Sequence, residues 1–252
     1  MMTDLLFVGA VFAMLFSITL VVWHTAEYLG IRRGRSVEYA LWTFTALSVY
    51  LILHAWLAAG HFYDSEESNP PHYIYVIIIG LSLIAGLSFV WRSILIEYVS
   101  PRWLTLIQVW RLPLAVVSWR LSAHDDAPAL LSFVGGNYDL VIGLSAPFVA
   151  YFLYPTPASA WAKKLGMAWQ VLGIALCLNT LVLGCLSISS SWQLLAYDQP
   201  NMAAITFPYI WGVAFCSPIF LWAHLIMLFQ KYKIKNQPAI IEEMDILPAE
   251  EA

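Results

Sequence analysis

Seven stretches of the chain, at 5–30, 37–60, 73–98, 102–122, 138–156, 161–189 and 206–230, are apolar over lengths that suit a bilayer crossing. At ~1.5 Å of rise per helical residue, about 20 residues cover ~30 Å of hydrocarbon. Backbone amides find no water in lipid, so such runs fold as helices. The sequence therefore predicts an all-α, polytopic seven-transmembrane helix bundle. Composition points the same way: 61% of residues are hydrophobic and 11% charged, against about 25% charged in soluble domains. Only lipid covers that much apolar surface. A water-soluble enzyme, a nucleic-acid binder and a disordered scaffold are thereby excluded, and a net charge of -4 offers nucleic acid no basic footprint. The expected partners are the lipid bilayer and either another membrane protein or a second copy of the chain.

The connections fit seven spans. Ile31 to Ser36 is a short basic turn carrying Arg32, Arg33 and Arg35, and His61 to His72 is a polar loop with Asp64, Glu66, Glu67 and Pro70-Pro71. A longer loop, His124 to Asn137, opens with Asp125 and Asp126. In this arrangement Arg32, Arg33, Arg35, Arg102, Lys163, Lys164, Lys231, Lys233 and Lys235 share one side. Arg120 stands alone near the other, which holds Asp64, Glu66, Glu67, Asp125, Asp126 and Asp198. Positive charge collects on the cytoplasmic side, so the amino terminus is expected outside and the carboxyl terminus inside. An even number of spans would destroy the separation.

The first 30 residues lack a basic leader and are apolar for too long to be a cleaved signal, so they read as a span. The transmembrane domain is expected over 1–235. Residues 236–252 carry five acids and two prolines and are expected to form a mobile acidic cytoplasmic tail. Neither a tandem repeat nor an inverted pair of broken segments is evident, which argues against a transporter built from inverted repeats.

Several chemistries drop out. All lysines lie in cytoplasmic loops or at their edges, so a retinal Schiff base has no attachment point. Cys177, Cys185 and Cys216 form no Cys-x-x-Cys pair and read as buried apolar thiols. The six histidines are scattered rather than clustered, unlike a diiron hydroxylase. Ser145 in Gly143-Leu144-Ser145 faintly resembles a protease nucleophile with His224 as base, but span depths set them about 15 Å apart. No catalytic set is therefore assigned.

Ionisable groups inside hydrocarbon are costly and mark candidate sites. Two groups emerge by depth. Near the cytoplasmic side, His24 and Glu27 share a face of the first span, with Arg92 and His224 at similar depth. His24 and His224 could hold a metal or haem iron, with Glu27 beside them. The plainer reading is an interfacial hydrogen-bonded cluster in which Glu27 pairs with an arginine.

The second group surrounds Arg111, close to the bilayer centre, with Gln108 three residues earlier on the same face. Pro113 frees the carbonyl of Val109 and kinks the helix there. Arginine stays charged, so it must face a partner, a water-filled cavity or an anionic ligand. Candidate neighbours are Asn137, Asp139, Asn179 and Tyr209, although Asp139 falls nearer the depth of Arg120. Gly135-Gly136-Asn137 reads as a tight turn into the fifth span, with Asn137 as its cap. A polar staple between helices accounts for these residues as well as a ligand pocket does.

Read in order, Gln108-x-x-Arg111, Gly136-Asn137-x-Asp139, Gly143-Leu144-x-Ala146, Gln199-Pro200-Asn201 and Phe207-Pro208-x-x-Trp211, followed by Pro218 and His224, resemble a family of small bacterial seven-helix integral membrane proteins. The resemblance covers roughly the second half, from the fourth span onward. It implies the seven-helix bundle and a bacterial inner membrane, points to Arg111, Asn137, Asp139 and His224, and carries no assigned activity. In that family an acid often follows the arginine by four residues. This chain has Ala115 there, so the pair implied by the family lacks its acid.

The expected function is that of a non-enzymatic membrane protein. A polar pocket around Arg111, open to the outer face, would bind a small anionic or lipid-like ligand or a partner subunit, in sensing, transport or complex assembly. Two alternatives stand beside it: a redox, metal or haem protein using His24 and His224, and a structural subunit whose polar groups are only glue.

Overall fold

The computed structural model describes residues 1–64, 68–154 and 159–236, with 231–236 as backbone alone. Among the described residues, regular structure is entirely helical. In chain order it comprises α1 (Met2–Tyr28), α2 (Arg33–Ala59), α3 (His72–Val90), α4 (Arg92–Glu97), α5 (Pro101–Ile107), α6 (Arg111–Ala123), α7 (Asp139–Phe152), α8 (Ala160–Leu186) and α9 (Ser217–Asn236). Beyond Asn236, the expected tail lies outside the described residues, as do Glu66 and Glu67.

Five stretches are long and apolar enough to cross a membrane: Met2–Tyr28, Arg33–Ala59, His72–Val90, Ala160–Leu186 and Gly212–Gln230. They mark the chain as an integral membrane protein. They also turn large apolar side chains outward, as on α2, where Trp42 is 67% and Trp56 71% exposed. Such a surface suits lipid or another membrane chain rather than water.

The fourth and fifth apolar runs are shorter and broken, and prolines account for much of this. Proline has no N–H and crowds the carbonyl four residues back. Pro113 lies just after a 3-10 turn at Gln108–Trp110 that separates α5 from α6. Pro147 sits inside α7, which has only 14 residues, or ~21 Å of rise. In the last run a π-helical turn at Gly212–Cys216 precedes Pro218. The Ala214 carbonyl that Pro218 cannot serve accepts a 3.1 Å hydrogen bond from Tyr50. Trp211 Nε1 in turn donates to the Leu51 carbonyl at 2.8 Å, so α2 is pinned to this irregular segment.

The helix ends gather into two faces. On one, Tyr209 donates to Asp4 at 2.6 Å, Gln199 to the Ala127 carbonyl at 3.1 Å and Ser191 to the Ser68 carbonyl at 2.8 Å. On the other, Glu27 pairs with Arg33 at 4.0 Å and Arg102 donates to the Tyr154 carbonyl at 2.9 Å. Between them, Val11, Met14, Leu15, Leu104 and Ala223 have no exposed surface. α1, α5 and α9 therefore enclose the core.

Candidate functional site

The 3-10 turn before α6 delivers Arg111 into the bundle, where it is 1% exposed. Each part of its guanidinium has a partner. Nε donates to Gln108 Oε1 at 2.8 Å, Nη1 to the Asp139 carboxylate, and Nη2 to the Gly173 carbonyl at 3.4 Å. The group also lies 4.9 Å from the centroid of the Phe220 ring. Gln108 is fixed at both ends, because its Nε2 donates to the Phe220 carbonyl at 3.2 Å. The shared face of Gln108 and Arg111 thus becomes a contact.

Asp139 corrects one expectation. It meets Arg111 rather than lying at the depth of Arg120. The 124–138 segment folds back into the bundle before α7 begins, so a 14-residue helix suffices to reach the opposite face. The turn is built locally. Ser132 O accepts the N–H groups of Gly135, Gly136 and Asn137, and a Cβ on Gly135 would fall on the backbone of Ala129. Asn137 Oδ1 then accepts the Asp139 N–H at 3.1 Å from one residue before the N-cap, which is Tyr138 rather than the expected Asn137. The helix N-terminus favours a carboxylate at this point. Thr180 Oγ1 stands 2.9 Å from Asn137 Oδ1, 3.0 Å from Asp139 Oδ2 and 3.1 Å from the Leu176 carbonyl; its one proton serves these acceptors in turn.

Behind Arg111 the network continues through α8. Gly173 gives its carbonyl to the guanidinium and its missing side chain to His224, whose ring occupies the place of a Cβ. His224 is fully buried. Gln170 Nε2 donates to Tyr154 at 2.7 Å, so Gln170 Oε1 is the acceptor for His224 Nδ1–H. That tautomer leaves His224 Nε2 as an acceptor with no partner among the described residues.

The same displacement of α7 overturns the depth argument about Ser145. Ser145 Oγ accepts from Trp169 Nε1 at 2.8 Å, and the Trp169 ring lies 5.2 Å from that of His224. Trp169 touches both residues and stands between them. No nucleophile–base hydrogen bond results.

Arg111 and Asp139 border a cavity of about 150 Å3. Asn137, Thr180, Asn201 and Tyr209 add polar atoms to its wall. Phe7, Leu114, Val117, Leu121 and Val213 make much of the remainder apolar. Of the residues singled out by sequence, Arg111, Asn137, Asp139 and Tyr209 line this space. Gln108 lies behind Arg111, and Asn179 supports the turn by donating to the Gly136 carbonyl at 2.9 Å. Ala115 also lines the cavity. Thr180, Gln170 and Gly173 were missed. Thr180 directly follows Asn179 and Gln170 is a polar group in mid-span, but neither has a distinctive spacing.

The proposed metal group is not drawn together. His24 is exposed and stacks edgewise on Trp103, with ring centroids 5.8 Å apart, while Glu27 pairs with Arg33. Among the described residues no hydrogen bond or ring contact joins His24 to His224, and no three His, Cys, Asp or Glu residues cluster as metal ligands do.

No family model matches the chain, and neither does any curated protein or solved structure.

Proposed function

We propose that this is a seven-span protein of a bacterial inner membrane, amino terminus outside, whose cavity beside Arg111 and Asp139 receives one small lipid-like molecule. The α5–α6 and α7 stretches would complete the seven crossings. Support for the orientation comes from charge: Arg32, Arg33, Arg35, Arg102, Lys163 and Lys164 would sit inside, with Asp64, Asp125, Asp126 and Asp198 outside.

One observation carries the binding reading. A buried ion pair that served only as glue would be packed on all sides, whereas this one faces open volume. The pair is neutral as a unit, which favours a ligand whose head both accepts and donates hydrogen bonds over a free anion. The Arg111 side chain has no exposed surface, so the Asp139 carboxylate, 13% exposed, is the member of the pair that meets this volume. At about 150 Å3 the space lies below the roughly 300–1,000 Å3 of drug-sized sites. It suits a single ring or a short chain with a polar head, comparable to an engineered cavity of ~150 Å3 that takes benzene. Such a molecule is the natural input for sensing, transport or regulated assembly.

Phenol, a ring with one hydroxyl, is a direct probe. At saturation it is expected to raise the unfolding temperature of the detergent-solubilised protein, since a ligand of the folded state stabilises it by mass action. Ala115→Leu fills the cavity from its wall and should abolish the shift while leaving the helical circular dichroism intact. An equal shift in both proteins would overturn the reading.

A further inference from the structure

A second concavity lies on the outer flank of the bundle, between α3–α4 and α9. It is a groove of about 470 Å3. Leu81, Ile84 and Phe89 form one wall, and Leu221, Leu225 and Phe229 the other. Phe89, Leu225 and Phe229 are exposed, so the groove opens sideways into lipid. Its main polar pair is closed on itself, because Trp222 Nε1 donates to Ser88 Oγ at 2.8 Å. The remaining surface is hydrocarbon, with one exception.

Arg92 is the only charged lining residue of this groove. It begins α4 just after the break at Trp91, and its guanidinium lies 4.9 Å from the centroid of the Phe89 ring. No carboxylate pairs with it among the described residues. Its depth is informative. From His72, on the opposite face, to Arg92 the helix rises ~30 Å, one full hydrocarbon thickness. From Leu81 to Arg92 the rise is ~16 Å, about one leaflet. The groove therefore has the length of an acyl chain and carries its cation at headgroup level. A helix, ~10–12 Å across with its side chains, is too wide for a cleft whose walls are bridged by the Trp222–Ser88 hydrogen bond.

We propose that this groove is a site for an anionic phospholipid, with one acyl chain lying between α3 and α9 and the phosphate on Arg92. The site is separate from the cavity at Arg111 and does not depend on its reading. Arginine suits the role, since its planar fork matches phosphate and keeps its charge at every relevant pH.

Native mass spectrometry of the full chain in detergent tests this with two lipids of identical acyl chains, phosphatidylglycerol and phosphatidylcholine. The expected result is a preference of about five-fold for phosphatidylglycerol, the effect of one cation at the membrane surface. Arg92→Gln should remove the preference and Arg92→Lys should largely keep it. Ala85→Phe, which blocks the groove, should lower the binding of both lipids. Equal binding of the two lipids by the unaltered protein, a preference that survives Arg92→Gln, or undiminished binding in Ala85→Phe would each overturn the proposal. A protein rather than a lipid retained on this face, lost in Ala85→Phe, would overturn it too.

Discussion

Replacing Arg111 with methionine is expected to destabilise the protein by about 3–5 kcal/mol, the cost of stranding one charge of a buried pair. The stranded group is Asp139, whose carboxylate keeps the Thr180 hydroxyl but loses its one cation partner among the described residues. Gln108 loses a donor in the same step. Asp139→Leu should cost a similar amount from the other direction, leaving the guanidinium with Gln108 and a 3.4 Å contact to the Gly173 carbonyl. The double variant is the informative one. With both charges gone no uncompensated charge remains, and apolar replacements of buried pairs are often neutral or better. Unfolding followed by circular dichroism in one detergent should therefore show the double variant well above either single one. A double variant as unstable as the sum of the singles would mean that the two groups are not energetically coupled. Loss of phenol binding by a stable double variant would separate the pair's role in the cavity from its structural role, and retention would show that the cavity binds without it.

The second large effect is expected at Gly173. A Cβ there coincides with the imidazole of His224, and both helices are committed nearby, α8 through Gln170 and α9 through His224 itself. Gly173→Ala must therefore part the helices or expel the ring. Overpacking of this kind costs typically 1–3 kcal/mol, and here it also strips Gln170 of its buried partner. His224→Ala in the same chain makes room, so Gly173→Ala/His224→Ala should unfold at a higher temperature than Gly173→Ala alone. If the double variant gains nothing, the close approach of α8 and α9 at this point is not what fails.

The parts of this architecture that follow from hydropathy could be read directly. The five long spans are apolar around their whole circumference, and lipid leaves them one way to satisfy their backbones. Gln108 and Arg111 were legible because three residues of helix place them on one face. Asp139 was not. Its depth depends on how far the 124–138 segment folds back, and the bonds that hold it, to Ser132 O and from Asn179 to the Gly136 carbonyl, leave no mark in composition. The error then carried to Ser145, whose level is set by the start of α7. Gly173 and Thr180 illustrate a different limit. Small and hydroxylated residues are common wherever membrane helices touch, so nothing in the sequence separates those that meet a guanidinium from those that meet lipid.

The pairing of Arg111 with Asp139 also bears on how the chain is made. A lone arginine or aspartate at mid-membrane costs about 2.5–3.5 kcal/mol when a helix leaves the translocon. Both charges here belong to consecutive, short, proline-interrupted segments, the two least able to offset that cost alone. The turn between them is held by its own backbone bonds together with Asn179 of α8, and it brings acid to base. In the seven-span reading proposed above, residues 101–152 would carry their own neutralisation into the bilayer, the acid of α7 answering the base of α6.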